Sequence, residues 1–466
     1  MNEPKSARGA AQGWMTLATV GIGVSVGPLD TSVNIAFPSI TEAFEIPVEL
    51  IQWVVICYVL TYASLLLGFG RLADAVGHRR VFIIGLLASV VGLLACALAE
   101  SFSGFLAARS IQGIGAAFVL GAGPALATLS FPESQRGRVV GVYTMLFAVG
   151  SASGPLIGGL LVDRWGWSSV FWYRIPIAVV ALGLVLVCIK PIPIKRDAMR
   201  FDLSGAIAVS VAAASTLFFM NRLQHLGIAS VQTVLVLVLA ILSCTFLFFQ
   251  QRAAAQPLIP LSVLRRGRFL LANTAHALIQ LACFTVMLVG PFYLVGYLEN
   301  NAVKGGLLLA VSPLGVVLAA PIAGRLVDSV SPERLGLAGL ALATCGLGGI
   351  AWFAAQAAPT AVALCLLAQG LGLGLFQVAN MDFVMGAIPR DSQGVAGSLT
   401  MMMRTVGVVT GASAGALLFA HLREGEGGSF ISAFQGTFAA AAVVAGVAFA
   451  MMLLALRCRP QGTEDA

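Results

Sequence analysis

The stretch GRLADAVGHRR, residues 70–80, sets Arg71, Asp74, Arg79 and Arg80 between two long apolar runs. Much the same string returns as GRLVDSVSPER at 324–334. Gly70, Arg71, Leu72, Asp74 and Arg80 recur 254 residues later as Gly324, Arg325, Leu326, Asp328 and Arg334. A second repeat, PESQRG at 132–137 against PRDSQG at 389–394, is offset by 257 and puts Gly150, Gly154 and Gly158 on Gly407, Gly411 and Gly415. The chain is an internal duplication with both copies in the same direction.

Composition says where the duplicated unit resides. Of 466 residues, 59% are hydrophobic and 10% charged, with a mean hydropathy of +0.94. A soluble chain would carry about 25% charged residues. Apolar runs long enough to cross about 30 Å of hydrocarbon recur throughout. The spans read as 14–38, 51–70, 81–99, 103–129, 138–162, 169–189, 203–221, 231–250, 269–298, 305–324, 335–355, 360–387, 394–420 and 430–456, fourteen in all. No small-residue cleavage site follows the polar tail and first apolar run, so the tail is not a cleavable signal. The eight cysteines are scattered, without CxxC or metal-ligand spacing, and read as apolar fillers.

Charge supplies the orientation. With the N-terminus inside, 20 of the 27 basic residues fall in inner segments, and Arg164, Arg222, Lys304 and Arg423 alone fall outside. That bias obeys the positive-inside rule and places both termini in the cytoplasm. The net charge of +7 then reflects topology and anionic lipid, not nucleic acid. Equivalent loops lie eight spans apart, so two helices are inserted between two six-helix halves. The expected organisation is a cytoplasmic tail (1–13), an N-terminal half (14–189), loops with a peripheral, lipid-facing inserted pair (190–268), a C-terminal half (269–457) and a second tail (458–466).

The motifs resemble those of the major facilitator superfamily over essentially the whole chain. GRLADAVGHRR resembles the family's loop motif between spans two and three, and RSIQGIGAA (109–117) its fourth-span motif. GSASGPLIGG (150–159) resembles the fifth-span motif of drug antiporters. PLDTSVNIAFP (28–38), GWSSVFWYRIP (166–176) and the inserted pair are similar to the fourteen-span drug:proton antiporter branch. Arg174 stands where that branch usually has Asn, an added cation able to alter substrate choice. The resemblance implies an all-α fold of two six-helix halves related by pseudo-two-fold symmetry, with fourteen spans, working by rocking one half against the other.

It also implies roles. Gly70, Arg71, Asp74, Arg79 and Arg80, with Gly324, Arg325, Asp328 and Arg334, form an inner latch, although Arg79 and Arg80 equally satisfy positive-inside topology. Asp30 and Arg109 lie roughly 10–13 Å below the outer boundary, at 1.5 Å per residue, and are able to meet directly or through Gln112. A carboxylate alternately paired and released changes its proton affinity, which is what proton coupling needs. Asp382 and Arg404 are candidates for a second coupling site, for substrate charge recognition or for a structural pair. Gly150, Gly154, Pro155, Gly158 and Gly159 form a small-residue, Pro-kinked helix expected at the boundary between halves. Asn34, Trp53, Tyr58, Gln112, Asn273, His276, Gln280, Tyr293, Phe376, Gln377, Asn380 and Met401–Met403 are the candidates for a central cavity.

There is no G-x-x-x-x-G-K-S/T loop, only four lysines and no HExxH, so neither ATP nor a metal drives the chemistry expected here. No soluble stretch is long enough for an enzyme or nucleic-acid module. The expectation is a monomeric, non-enzymatic plasma-membrane exporter of amphipathic drugs or secondary metabolites, with no cofactor and energised by the proton gradient. The alternatives are a symporter or facilitator for a native metabolite, and a non-transporting sensor on the same fold.

Overall fold

The computed structural model describes residues 3–46, 50–190, 203–226, 230–253, 267–291, 293, 302–356, 358–388, 393–424 and 429–457. Most of the loops expected at 190–202 and 252–268, the 389–392 part of the second repeat and the tail 458–466 lie outside these. Among the described residues, eleven helices are long and apolar enough to cross a membrane. The other three expected spans, 14–38, 203–221 and 394–420, are helical without meeting that standard over their described residues. The chain divides into two compact units, residues 1–258 with 389–402, and 259–388 with 403–466.

In the first unit α1 (Glu3–Ser25) does not run on to residue 38. Pro28 has no N–H to continue the ladder, and the chain tightens into a 3-10 segment, Pro28–Ala36, before α2 (Phe37–Ala43). Asp30 sits in the first turn of that segment, its N–H bonded to Gly27 O at 2.9 Å. Helix α3 (Gln52–Val76) stops at Gly77, whose φ of 101° favours glycine, and α4 (His78–Ala97) begins at once. Helix α5 (Phe102–Thr128) is opened by Ser101, whose hydroxyl accepts the Gly104 N–H at 3.2 Å. Helices α6 (Arg136–Trp165), α7 (Ser169–Trp172) and α8 (Arg174–Cys188) follow.

The inserted pair, α9 (Leu203–Leu226) and α10 (Val231–Ala253), belongs to this unit. The two pack on each other, with Ser215 and Ser243 hydroxyls 2.8 Å apart, and α9 packs on α3. Trp53 of α3 meets the Phe218 ring at 6.3 Å, and Arg222 lies over both rings. Trp53, expected as a wall of a central cavity, here anchors the inserted pair: its indole gains a cation–π partner and an apolar neighbour. Helix α10 exposes Leu239, Leu242, Phe246 and Phe249, an apolar face suited to lipid.

The second unit holds α11 (Gly267–Pro291), α12 (Ala302–Leu326), α13 (Pro332–Ala354), α14 (Pro359–Ala387), most of α15 (Gln393–Glu424) and α16 (Phe430–Arg457). Pro332 and Pro359 open their helices, where the missing N–H costs nothing. Tyr293, expected in the cavity, is buried in this core: its ring stacks on Phe434 at 4.6 Å and its hydroxyl donates to Ala354 O at 3.0 Å.

The duplication extends to backbone packing. A Cβ on Gly113 would strike the Tyr58 carbonyl, and one on Gly370 the Ser312 carbonyl, 254 residues beyond Tyr58. Gly115 meets Ser89, and Gly372 meets Ala343. Gly92 lies on the backbone of Gln112, and Gly346 on that of Gln369. Each copy is thus a helix triplet held at small-residue contact distance: α3, α4 and α5 in one, α12, α13 and α14 in the other.

Helix α6 seats the 3-10 segment. Cβ atoms on Gly150, Gly154 and Gly158 would fall against Ser25 and Pro28, against Thr31, and against Ser32, whereas Gly159 has nothing within 4 Å. The expected boundary glycines thus form, at Gly150, Gly154 and Gly158, a groove within one unit for the segment carrying Asp30. Pro155 lies inside the uninterrupted α6 and cannot donate to Ser151 O; that carbonyl accepts the Thr31 hydroxyl instead, at 3.2 Å. Gly158→Ala would place its Cβ 2.7 Å from Ser32 Cβ and 3.0 Å from Ser32 Cα, atoms that move only with the backbone. It is expected to cost about 1–3 kcal/mol in detergent unfolding, the usual penalty of overpacking. The adjacent Gly159→Ala is expected to leave the unfolding midpoint unchanged. Equal effects at both positions would remove the groove from this account.

Candidate functional site

A carboxylate shared between two buried arginines occupies the middle of the first unit. Arg109 of α5 grips Asp30 with both arms of its fork, Nη1 to Oδ1 and Nη2 to Oδ2, each at 2.7 Å. Arg174, the first residue of α8, donates Nη1 to Asp30 Oδ1, also at 2.7 Å. Gln112, one helical turn beyond Arg109, donates Nε2 to Oδ1 at 3.1 Å and accepts from Arg109 at 2.6 Å. Both arginines are 0% exposed, and the Asp30 side chain is 14% exposed.

Two cations and one anion leave an excess positive charge, which is costly away from water unless other acceptors face it. Backbone carbonyls take that part. Arg109 Nε donates to Val54 O at 2.9 Å, and Arg174 Nη2 to Val26 O at 2.7 Å, just past the end of α1 where a helix presents unsatisfied carbonyls. The Tyr58 ring lies 4.5 Å from the Arg109 guanidinium carbon. The cluster therefore ties together the end of α1, the 3-10 segment, α3, α5 and α8. Beside it is a pocket of about 10 Å³, room for one water molecule, lined in part by Tyr58, Ser89, Gln112 and Arg174.

The structure brings Asp30, Arg109 and Gln112 together and adds Arg174, which sequence reasoning noted as an extra cation without giving it a partner. The available signal was its place within a span: a buried cation needs an acceptor, and Asp30 was the one carboxylate inside an expected span of that half.

The remaining candidates are placed as follows. Gly70, Arg71 and Asp74 are buried at the end of α3, and Asp74 Oδ1 lies 3.1 Å from His78 Nε2 across the turn to α4. Arg79 donates to Leu186 O at 3.1 Å and so caps the last turn of α8 within its own unit, a cation on the negative end of a helix. Arg80, Arg325, Asp328 and Arg334 are exposed, while Gly324 is buried. Glu333 of the second loop pairs with Arg268, between the first turns of α11 and α13, a contact that sequence reasoning missed. Asn34 is exposed, and Gln377, Met401, Met402, Met403 and Arg404 are half-buried. Asp382, Asn273, His276, Gln280, Phe376 and Asn380 are buried in the second unit. Asn380 Nδ2 lies 3.1 Å from His276 Nδ1, and the Phe376 ring meets the imidazole edge-on at 5.6 Å.

The model of a family described as the Major Facilitator Superfamily matches residues 18–412 and 277–465. The riboflavin transporter RibZ of Clostridioides difficile is 29% identical over 419 residues, 88% of this chain and 89% of that protein. The multidrug resistance protein Stp of Mycobacterium tuberculosis is 31% identical over 412 residues, 88% of this chain and 76% of that protein. Among solved structures, the human organic anion transporter MFSD10 (TETRAN) superposes with a TM-score of 0.70 at 14% identity, covering 94% of this chain and 99% of that one, a likeness of fold.

Asp30→Asn leaves two buried guanidiniums around a neutral amide. Its expected cost in detergent unfolding is about 3–5 kcal/mol, the range for breaking a buried pair. Adding Arg174→Met to Asp30→Asn is expected to recover part of that loss, so the cycle is strongly non-additive. Strictly additive losses would mean that carboxylate and arginine do not act as a unit.

Proposed function

Since this chain belongs to the major facilitator superfamily and is thereby a multi-pass membrane transporter, we propose that it exports drug-like amphipathic compounds in exchange for protons. Its place is the plasma membrane, with both termini in the cytoplasm, the orientation that the distribution of basic residues favours. The observation that carries the coupling is the Asp30 carboxylate, the one anion among the described residues that pairs with Arg109 and Arg174.

A proton on Asp30 removes the only negative charge between the two guanidiniums. They then repel, and the arrangement can relax only if one of them withdraws. Arg109 is fixed at four further points, by Val54 O, Gln112 and the Tyr58 and Phe171 rings. Among the described residues, Arg174 is fixed beyond Asp30 by Val26 O alone, and its Nε has no partner. Arg174 is therefore the arm that releases, and α8 moves with it relative to the 3-10 segment. Binding of a proton becomes a movement of helices, which alternating access requires. Release of the proton on the opposite side restores the clamp. No cofactor enters this scheme; its energy is the proton gradient.

The drug-like substrate is supported by the fifth-span glycines and by the likeness to a protein named for multidrug resistance. A second reading, transport of a native metabolite, is favoured by the buried uncharged polar groups around His276 and by the likeness to a protein named a riboflavin transporter.

The test is made in proteoliposomes with a pH-sensitive dye inside and a panel of lipophilic cations, neutral antibiotics and organic anions. Wild type is expected to show substrate-triggered proton flux. Asp30→Asn is expected to lose that flux by at least about tenfold while still catalysing substrate counterflow, which separates uncoupling from misfolding. Undiminished flux in the variant would move coupling away from Asp30.

A further inference from the structure

Asn273, His276 and Gln280 are spaced by three and four residues along α11 and so share one face. Asn380 of α14 joins them, donating Nδ2 to His276 Nδ1 at 3.1 Å. Their exposures are 4%, 2%, 4% and 0%. Among the described residues, Asn273 Oδ1, His276 Nε2, Gln280 Nε2 and Asn380 Oδ1 meet no hydrogen-bonding partner. A fold gains nothing from such atoms, because buried polar groups are normally satisfied and each orphan is destabilising. Four on two neighbouring helices call for a partner that the chain itself does not provide.

The donor pattern restricts that partner. With Nδ1 accepting from Asn380, the neutral imidazole carries its proton on Nε2, a donor. Gln280 Nε2 is also a donor, and the two asparagine oxygens are acceptors. Exchanging O and N on Asn380 reverses two of these roles together and still leaves one donor and one acceptor on that pair. None of the four is anionic. Asp382 lies about 200° around α14 from Asn380, and Arg404 is close enough to act electrostatically on His276. Among the described residues, a permanent cation finds no counter-charge on this face. Phe376 bounds it with an aromatic ring.

We propose that this cluster is a ligand subsite for uncharged planar heterocycles bearing a lactam or imide edge. The ligand N–H meets an asparagine Oδ1, and its adjacent C=O meets His276 Nε2–H or Gln280 Nε2–H. This rests on the reading of the chain as a transporter whose helices part during its cycle, and is independent of proton coupling through Asp30.

The test measures equilibrium binding to the full-length protein in detergent, with two neutral imide heterocycles, lumiflavin and lumazine, and the N3-methyl derivative of lumiflavin. Lumiflavin fluorescence reports its own binding. Saturable binding is expected for both parent compounds, with N3-methylation weakening it by about tenfold or more. Gln280→Met is expected to weaken lumiflavin binding by a similar factor without lowering the unfolding midpoint, because the variant removes an unsatisfied group and keeps the side-chain length. Asn380→Leu serves as a second variant for the same loss. No saturable binding of either parent, or equal affinity for lumiflavin and its N3-methyl derivative, would overturn the proposal. So would a Gln280→Met protein that melts earlier yet binds as wild type. Proton flux with lipophilic cations is scored separately: its loss alongside intact lumiflavin binding would defeat the coupling scheme and leave this subsite standing.

Discussion

The structure of the first unit depends on one carboxylate that two buried arginines must share. Guanidiniums are always charged, so Arg109 and Arg174 bring two cations into an interior that tolerates neither alone. Asp30 neutralises one of them, and backbone carbonyls at the end of α1 and the start of α3 absorb the rest. Much of the local architecture serves to present that carboxylate. The Gly27–Pro28 break lifts Asp30 out of an α-helix into a 3-10 turn, three α6 glycines let that turn approach, and Pro155 frees the Ser151 carbonyl that holds its neighbour Thr31. A site assembled from this many independent local choices is over-determined in one state, and a single proton on Asp30 cancels the charge on which all of them converge.

The two copies share a scaffold and differ in chemistry. Glycine contacts at Gly113 and Gly370, Gly115 and Gly372, and Gly92 and Gly346 hold equivalent helices at equivalent distances. On the same offset, Gln112 corresponds to Gln369, which accepts from Ser312, whereas Arg109 corresponds to Leu366. The Asp30–Arg109–Arg174 cluster lies in the first unit. The second carries an uncharged polar face instead, built by Asn273, His276, Gln280 and Asn380.

Much of this was legible in the sequence, for reasons that can be named. The repeat, the membrane class and the meeting of Asp30 with Arg109 followed from offsets, apolar run lengths and equal depth within their spans. Arg174 was visible as a misplaced cation but not as a partner, because depth counted from span ends does not say which of several helices faces a given carboxylate. The break at Pro28 was hidden because apolar residues continue across it; hydropathy registers burial and not hydrogen-bond pattern. Trp53 and Tyr293 were assigned to a cavity by residue type, which does not foresee the contacts of Trp53 with Phe218 and Arg222 or the stacking of Tyr293 on Phe434. Gly158 and Gly159 read alike in sequence, yet only one meets another segment.

The most direct measurement is infrared difference spectroscopy on the reconstituted protein, following the protonated-carboxyl stretch as substrate is added under a proton gradient, with Asp30→Asn to identify the band. A protonated-carboxyl signal that appears and decays with turnover is expected in wild type and is expected to be missing from the variant. An unchanged signal in Asp30→Asn, or a turning-over wild type with no carboxyl band that the variant removes, would contradict the claim that Asp30 carries the proton.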